Sequence, residues 1–245
     1  MRPLSVQELL DAWERGLAQT PTARALTLLA ACSPEAPDAL ARLSLGQRDA
    51  RLLTLRELTF GPRLVSLTAC PACGERMECE LNVADLRVAP ETEPGEVFTL
   101  TLDRDEVRFR LPNSLDQLAL AECADVATAR GLLLRRCLMP FADNDAGDTL
   151  ARLPPRAWER IAELMERADP QADIRLDMSC AHCRHHWPEA FDIGAFFWAE
   201  LDAWARRLLL EVHTLARAYG WSERDILNMS AARRQFYLSL TGGAA

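Results

Sequence analysis

The chain has 245 residues, of which 49 % are apolar and 26 % are charged, a composition typical of a globular protein with a hydrophobic core. Its net charge of −8 argues against a general nucleic-acid binder, because such proteins need cations to neutralise phosphates. No apolar run is long enough to predict a transmembrane helix, and residues 1–5 do not resemble a signal peptide. We therefore expect a cytoplasmic protein, in which paired cysteines favour a metal over disulfides.

Helical periodicity dominates the N-terminal part of the chain. Thr20-Pro21 has the form of an N-cap followed by proline at the first helical position, and Ser33-Pro34 repeats this signal. A further helix is predicted over about residues 48–60, where leucines recur on one side. We predict an N-terminal helical segment over residues 1–60.

Alternation of apolar and polar residues predicts β-hairpins in the middle of the chain. Residues 64–68 and 77–81 alternate on either side of Cys70-Pro71-Ala72-Cys73, and residues 98–102 and 107–111 alternate around a polar turn. The hairpin over residues 98–111 is therefore expected to have one buried face and one solvated face.

The region that follows mixes linkers and helices before a last strand leads into Cys180-Ala181-His182-Cys183. A polar linker, a helix, an acidic loop and another helix are predicted at residues 89–96, 114–137, 140–148 and 158–167. We predict that residues 61–196 form a cysteine-bearing β core with a helical insertion.

The longest predicted helix spans about residues 193–219, with an apolar stripe along one side. Glu200, Arg207 and Glu211 share one flank, and this spacing predicts that Arg207 bridges the two glutamates. Two short helices follow. Together they predict a C-terminal helical segment over residues 197–245.

The two C-x-x-C pairs carry the strongest functional signal. After each pair the same residue types recur at the same offset, at residues 80–86 and 190–196, which indicates two copies of one hairpin. Four thiolates complete a tetrahedron around zinc, and such a closed site is structural because it leaves no position for water. We predict one structural Zn²⁺ held by Cys70, Cys73, Cys180 and Cys183.

Other interpretations of this region stay open. The pairs are alternatively free thiols or a redox motif. His182, His185 and His186 are either exposed turn residues or a source of a replacement ligand. Arg184 stands where the first pair has Gly74, which predicts a distorted second turn. The remaining cysteines occupy apolar-periodic positions and are expected in the core: Cys32, Cys79, Cys123 and Cys137.

Strands and helices are segregated along the chain, which favours an α+β fold. We expect antiparallel β-hairpins joined by a zinc-ribbon-like four-cysteine site, surrounded by helices, with the C-terminal helices appended. No nucleotide-binding, zinc-protease or serine-hydrolase motif occurs in the sequence, so no enzymatic activity is predicted.

The C-terminal sequence resembles a known family. Two runs are similar to the T-even phage baseplate-hub family: LLEVHTLARAYGWSERDIL at residues 209–227 and RRQFYL at residues 233–238. Its members include hub assembly chaperones, and relatives occur with phage tail-like contractile injection systems. FGPRL at residues 60–64 and FWAELDAWA at residues 197–205 resemble the zinc-knuckle-bearing members. The resemblance covers most of the chain after about residue 45. It implies a structural or assembly role and supplies no catalytic residues.

Two functions from different classes follow. The first is a baseplate-hub component or assembly factor of a contractile tail, found in the cytoplasm or in the assembled tail particle, with hub or spike proteins as partners. The second is a zinc-ribbon nucleic-acid-binding or transcriptional adaptor. For the first function, aromatic residues including Trp198, Trp221 and Tyr237 are candidates for an exposed docking patch, with packing of the terminal helices as the alternative.

Overall fold

Helices predominate in a computed structural model that describes residues 1–89, 97–102, 105–139 and 154–241. All but the first residue of the predicted linker 89–96, and the whole of the predicted acidic loop 140–148, lie outside the described residues. Within the described ranges, no helix has both the length and the apolar character needed to cross a membrane.

Three of the four N-terminal helices begin at a side-chain cap, though not always at a predicted one. They are α1 (Val6–Gly16), α2 (Pro21–Cys32), α3 (Pro37–Arg42) and α4 (Leu45–Phe60). Thr20 caps α2 as predicted. The helix start predicted at Ser33-Pro34 is wrong, because Ser33 instead ends α2 and α3 begins only at Pro37. Helix α4 starts earlier than predicted, because Ser44 and Gln47 form a capping box.

Among the residues that the structure describes, every strand pair is antiparallel, and the strands form three separate small sheets. The strands are β1 (Arg63–Ala69), β2 (Arg76–Asn82), β3 (Phe98–Leu102), β4 (Asp105–Phe109), β5 (Leu138–Met139), β6 (Ile174–Ser179) and β7 (His186–Phe191). The first hairpin is β1–β2 and the second hairpin is β6–β7, while β3, β4 and β5 form a three-stranded sheet. Val83–Leu86 forms a 3₁₀ turn directly after the first hairpin.

The insertion between the hairpins has its own core. The single helix predicted over residues 114–137 is in fact two, α5 (Ser114–Leu120) and α6 (Val126–Cys137), because Asp125 caps a new start. Helix α7 (Pro155–Ala168) follows. Leucine, valine, isoleucine and phenylalanine side chains of β3, β4, α6, β5 and α7 form a separate hydrophobic cluster.

The C-terminal helices are α8 (Ile193–Tyr219), α9 (Glu223–Leu227) and α10 (Ala231–Thr241). Helix α8 has the predicted bounds, since Asp192 caps its start and Gly220, with φ of +70°, ends it in the left-handed conformation. Its final turns pack on α9 and α10 around Val212, Leu215 and Ile226.

The main hydrophobic core is built largely from α1, α2, α4 and α8, and the bases of both hairpins enter it. Leu53, Leu64 and Phe197, one from each of the three predicted segments, are fully buried in this cluster. Ile174 and Ile193 contribute from the second hairpin and the helix after it. The α+β class with antiparallel hairpins, clustered cysteines and C-terminal helices is confirmed.

Candidate metal centre

The two hairpins are structural copies of one another, and each residue of the second lies the same number of positions after its equivalent in the first. Leu64 in β1 and Ile174 in β6 occupy equivalent positions, and both are buried at the base of their hairpin. Asn82 ends the first hairpin and Asp192 follows the second, and each caps the helical turn that comes next. The equivalent bases anchor both hairpins in one core, which brings their cysteine turns together.

The cysteine turns share the same backbone hydrogen bonds. The N–H of Cys70 donates to the carbonyl oxygen of Glu75 at 2.9 Å, and the N–H of Gly74 donates to that of Cys70 at 2.8 Å. In the second turn, Cys180 donates to His185 and Arg184 donates to Cys180, both at 2.9 Å. The predicted distortion at Arg184 is wrong, because its φ of +60° reproduces the left-handed conformation of the first turn.

The four sulfur atoms converge on one point. The Sγ atoms of Cys70, Cys73, Cys180 and Cys183 all lie within 4.8 Å of one another. Cys70 and Cys183 have their sulfurs 3.6 Å apart, as do Cys73 and Cys180, and none of the four is in a disulfide. A tetrahedron of zinc–sulfur bonds of about 2.3 Å needs sulfurs about 3.8 Å apart. The donor set and its spacing therefore fit a tetrahedral metal ion.

The electrostatics of the cluster also suit a cation. Hydrogen bonding from the backbone N–H of Cys183 is the largest effect that lowers the pKa of Cys180, to about 6. The backbone N–H of Glu75 acts in the same direction on Cys73, but desolvation and the neighbouring thiols outweigh it and raise the pKa of Cys73 to about 12. Four thiolates packed this closely would repel one another, so a positive ion is needed to hold all four in the ionised state.

The remaining candidate ligands lie outside the cluster. His182, His185 and His186 are exposed, and none of them belongs to the group of donor atoms that converges. Cys32 and Cys137 are buried as expected for core residues. Cys79 and Cys123 are only half-buried, so the prediction that they lie in the core is wrong. Alternation in β2 turns Cys79 toward the cleft of about 290 Å³ between the two hairpins.

A buried arginine at the base of the first hairpin was missed by the sequence reasoning. Arg56 in α4 donates to both carboxylate oxygens of Glu200 at 2.7 and 2.8 Å and to the carbonyl oxygen of Gly61 at 2.7 Å. Glu211 instead pairs with Arg234 at 3.2 Å. The predicted bridge from Arg207 to these two glutamates is therefore wrong. Helical spacing predicted the side of α8 on which Glu200 lies, but not its partner Arg56, which belongs to α4.

The aromatic residues proposed for docking are half-buried. The ring of Trp221 stacks on Tyr219 with centroids 4.4 Å apart, and Tyr237 packs edge-on against Trp221 at 4.9 Å. Trp198 lies against α1 with the guanidinium of Arg24 4.5 Å above its ring. These contacts give all three residues a packing role within the described chain.

Comparison with known proteins identifies one family. The family model described as T4 bacteriophage base plate protein matches residues 18–198, about three quarters of the chain. This range includes both cysteine pairs and ends before the C-terminal run at residues 209–238. No curated protein and no solved structure matches the chain.

Proposed function

The chain belongs to the family of the T4 bacteriophage base plate protein, and from this premise we propose that it is a non-enzymatic hub component or assembly factor. The tail it serves is that of a contractile phage or of a phage tail-like injection system. The observation that carries the proposal is the family match, which spans both cysteine hairpins and the insertion between them. The resemblance of residues 209–227 to baseplate-hub proteins favours a role at the hub over a role elsewhere in the baseplate.

The proposed role of the cysteine cluster is structural. One Zn²⁺ bound by Cys70, Cys73, Cys180 and Cys183 would cross-link two hairpins that are far apart in sequence. Two of the sulfurs belong to buried residues and two to exposed ones, so the site sits at the surface end of the hairpins. Four thiolates fill the coordination sphere, which leaves no position at which a substrate or water could be activated.

The proposed partners are hub or spike proteins of the tail. Assembly takes place in the cytoplasm, and the protein then either stays there as a chaperone or enters the particle as a component. These two outcomes differ in where the protein is found after assembly is complete.

Affinity purification of the tagged chain from cells that express the neighbouring tail genes tests the proposal. Mass spectrometry of the eluate, of purified particles and of the remaining lysate is expected to find hub or spike proteins with the chain. Its presence in particles would assign it as a component, and its restriction to the lysate would assign it as an assembly factor. Salt-dependent DNA binding without recovery of tail proteins would overturn the proposal and favour the nucleic-acid adaptor.

A further inference from the structure

An open groove of about 610 Å³ lies between the end of α4, the start of β1 and one side of α8. Its lining includes the aromatic residues Phe60 and Trp204, the aliphatic residue Val65 and the two arginines Arg63 and Arg207. A groove of this size that is open to solvent suits a side chain and flanking backbone of another protein.

The apolar part of the groove continues onto the first hairpin. Phe60 and Trp204 are half-buried, with ring centroids 6.5 Å apart, and both line the groove. Val65 is 45 % exposed and Leu67 is 65 % exposed on the same face of β1. Half-buried aromatic side chains that adjoin exposed aliphatic ones are typical of a protein-binding surface.

The charge of the groove is positive although the whole chain is acidic. Arg56 and Glu200 neutralise each other at its floor. Arg63 and Arg207 are exposed, and neither makes an ion pair with any residue in the described part of the chain. The groove therefore carries two uncompensated guanidinium groups in a protein of net charge −8.

Trp204 also offers a free hydrogen-bond donor. The indole N–H of Trp13 donates to Asp202 at 2.9 Å, whereas the N–H of Trp204 has no acceptor among the described residues. No buried side-chain nitrogen or oxygen in the described chain lacks a partner, so the N–H of Trp204 must reach solvent. It is available to a carbonyl or carboxylate oxygen of a bound segment.

We propose that this groove binds an acidic segment of a partner protein that carries a bulky apolar side chain. The apolar side chain packs on Phe60 and Trp204, and carboxylates on either side of it pair with Arg63 and Arg207. The identity of the partner as a tail protein rests on the proposed function, but the chemistry of the groove does not. Glu80 and Glu78 lie opposite Val65 and Leu67 on the same face of the hairpin, so the carboxylates of the segment must lie beside Arg63 and Arg207 and not beside Val65 and Leu67. A continuous phosphate backbone cannot restrict its charges in this way, so nucleic acid fits less well.

Site-specific photo-crosslinking in cells that express the tail genes tests the groove directly. Ala203 is exposed and lines the groove, so it is replaced by the photoreactive residue p-benzoylphenylalanine. Ala218, exposed on the same helix but outside the groove, is the matched control position. The expected product joins position 203 to a peptide with aspartate or glutamate around a leucine or aromatic residue. Crosslinks to nucleic acid or to a second copy of this chain, or a yield no higher than that of the control, would overturn the inference.

Charge reversal then tests the role of the two arginines. The double variant Arg63→Glu, Arg207→Glu is expected to lower the crosslink yield about tenfold, because two charge-assisted contacts become repulsive. Arg233→Glu, at an exposed position outside the groove, is expected to leave the yield unchanged. An unchanged yield in the double variant would remove the arginines from the interaction and overturn the proposal. If the wild-type chain co-purifies with hub proteins but position 203 does not crosslink, the hub function stands and the groove is not its docking surface.

Discussion

Arg184 takes in the second cysteine turn the backbone conformation that Gly74 takes in the first. Their φ angles are +60° and +75°, and each donates its N–H to the carbonyl oxygen of the first cysteine of its pair. Arg184 is the only non-glycine residue in the described ranges with a positive φ. Glycine enters this conformation without cost, whereas a residue with a Cβ atom is strained by roughly 1–2 kcal/mol. The hairpin copies therefore differ in how much strain their turns store.

Arg184→Gly is expected to raise the free energy of unfolding by about 1 kcal/mol, because it removes this strain from an exposed turn. Gly74→Ala is the matched reverse change and should lower stability by a similar amount. An added Cβ at Gly74 meets no atom within 4 Å, so only the backbone preference is tested. Chemical denaturation of the metal-loaded proteins measures both. A destabilised Arg184→Gly variant would show that the arginine side chain makes a contact that outweighs the strain.

Metal content is expected to depend on the four clustered cysteines alone. Purified wild-type protein should contain about one equivalent of zinc, and its removal by a chelator should cost several kcal/mol of stability, since the ion joins distant segments. Cys180→Ser should abolish stoichiometric zinc. Cys79→Ser, in the same pair of hairpins but outside the cluster, should retain it. Elemental analysis and thermal melting provide the measurements, and metal-free protein that melts at the wild-type temperature would contradict a structural site.

Asp116 is expected to contribute stability that is lost in acid. It is fully buried and accepts hydrogen bonds from Arg110, Arg136 and the backbone N–H of Asn113. Burial alone would raise its pKa, but these hydrogen bonds outweigh burial and lower it. A lowered pKa in the folded state means that the contribution is present above about pH 4 and disappears as pH falls through the folded-state value.

Asp116→Asn is therefore expected to lower the free energy of unfolding by about 2–3 kcal/mol at pH 7. This is less than the loss expected for a fully buried ion pair, because both arginines are about one-third exposed. The difference from wild type should shrink as pH falls below 4. Urea unfolding between pH 7 and pH 3 measures this difference, and protonation of the cysteine site cancels because it affects both proteins. Asp173→Asn, which breaks an exposed pair with Arg175, is the control and should cost at most about 0.5 kcal/mol. A gap that stays constant with pH would refute the assignment.

The sequence was informative where a pattern is local. Asp192 and Gly220 determine the ends of α8 through capping and left-handed backbone preferences, so its bounds could be predicted. The duplicated residue types around the cysteine pairs likewise predicted that the two pairs meet, and their sulfurs do lie within 4.8 Å. Zinc binding itself stays a prediction. The helix ends are set within a few residues of the caps, whereas the cysteine contacts span 113 and 107 residues and were predictable only because the same local pattern occurs twice.

Patterns failed where the partner lies far along the chain. Glu200 is close to Arg207 in α8, but it pairs with Arg56, which α4 brings into bidentate geometry from 144 residues away. Ser33-Pro34 has the form of a helix start, yet the N–H of Ser33 donates to Leu29 and closes the preceding helix instead. Periodicity and cap motifs specify a face or a terminus, and tertiary contacts decide which of the competing partners is used.

Replacing only one member of the Arg56–Glu200 pair is expected to lower the free energy of unfolding strongly. Arg56 is only 2 % exposed, so Glu200→Gln leaves a buried guanidinium without its counter-charge and should destabilise the protein by about 3 kcal/mol. In an Arg56→Met background the same Glu200→Gln change should cost less than about 1 kcal/mol, because no buried charge remains to be stranded. Denaturant unfolding of the four proteins completes the double-mutant cycle. Equal costs in both backgrounds would mean that the two side chains are not coupled.

We expect position 16 to require glycine because the ring of Trp198 packs against it, and not because of the backbone conformation of Gly16. A Cβ placed on Gly16 would lie 2.2 Å from the nearest ring atom of Trp198, so the ring would have to move. The Arg24 guanidinium lies 4.5 Å from the centre of that ring and donates to the carbonyl oxygen of Gly16 at 2.9 Å, which limits how far the ring can move. Overpacking costs about 1–3 kcal/mol, whereas alanine gains at most about 1 kcal/mol of helix propensity over glycine.

Gly16→Ala is therefore expected to lower the free energy of unfolding by about 1–2 kcal/mol. If the clash is the cause, Trp198→Phe should make room for the new methyl group, and Gly16→Ala in that background should become neutral or slightly stabilising. Thermal and denaturant unfolding of the two single variants and the double variant gives the coupling free energy. A Gly16→Ala penalty that persists in the Trp198→Phe background would show that the backbone of Gly16, and not the tryptophan ring packed on it, excludes alanine from this position.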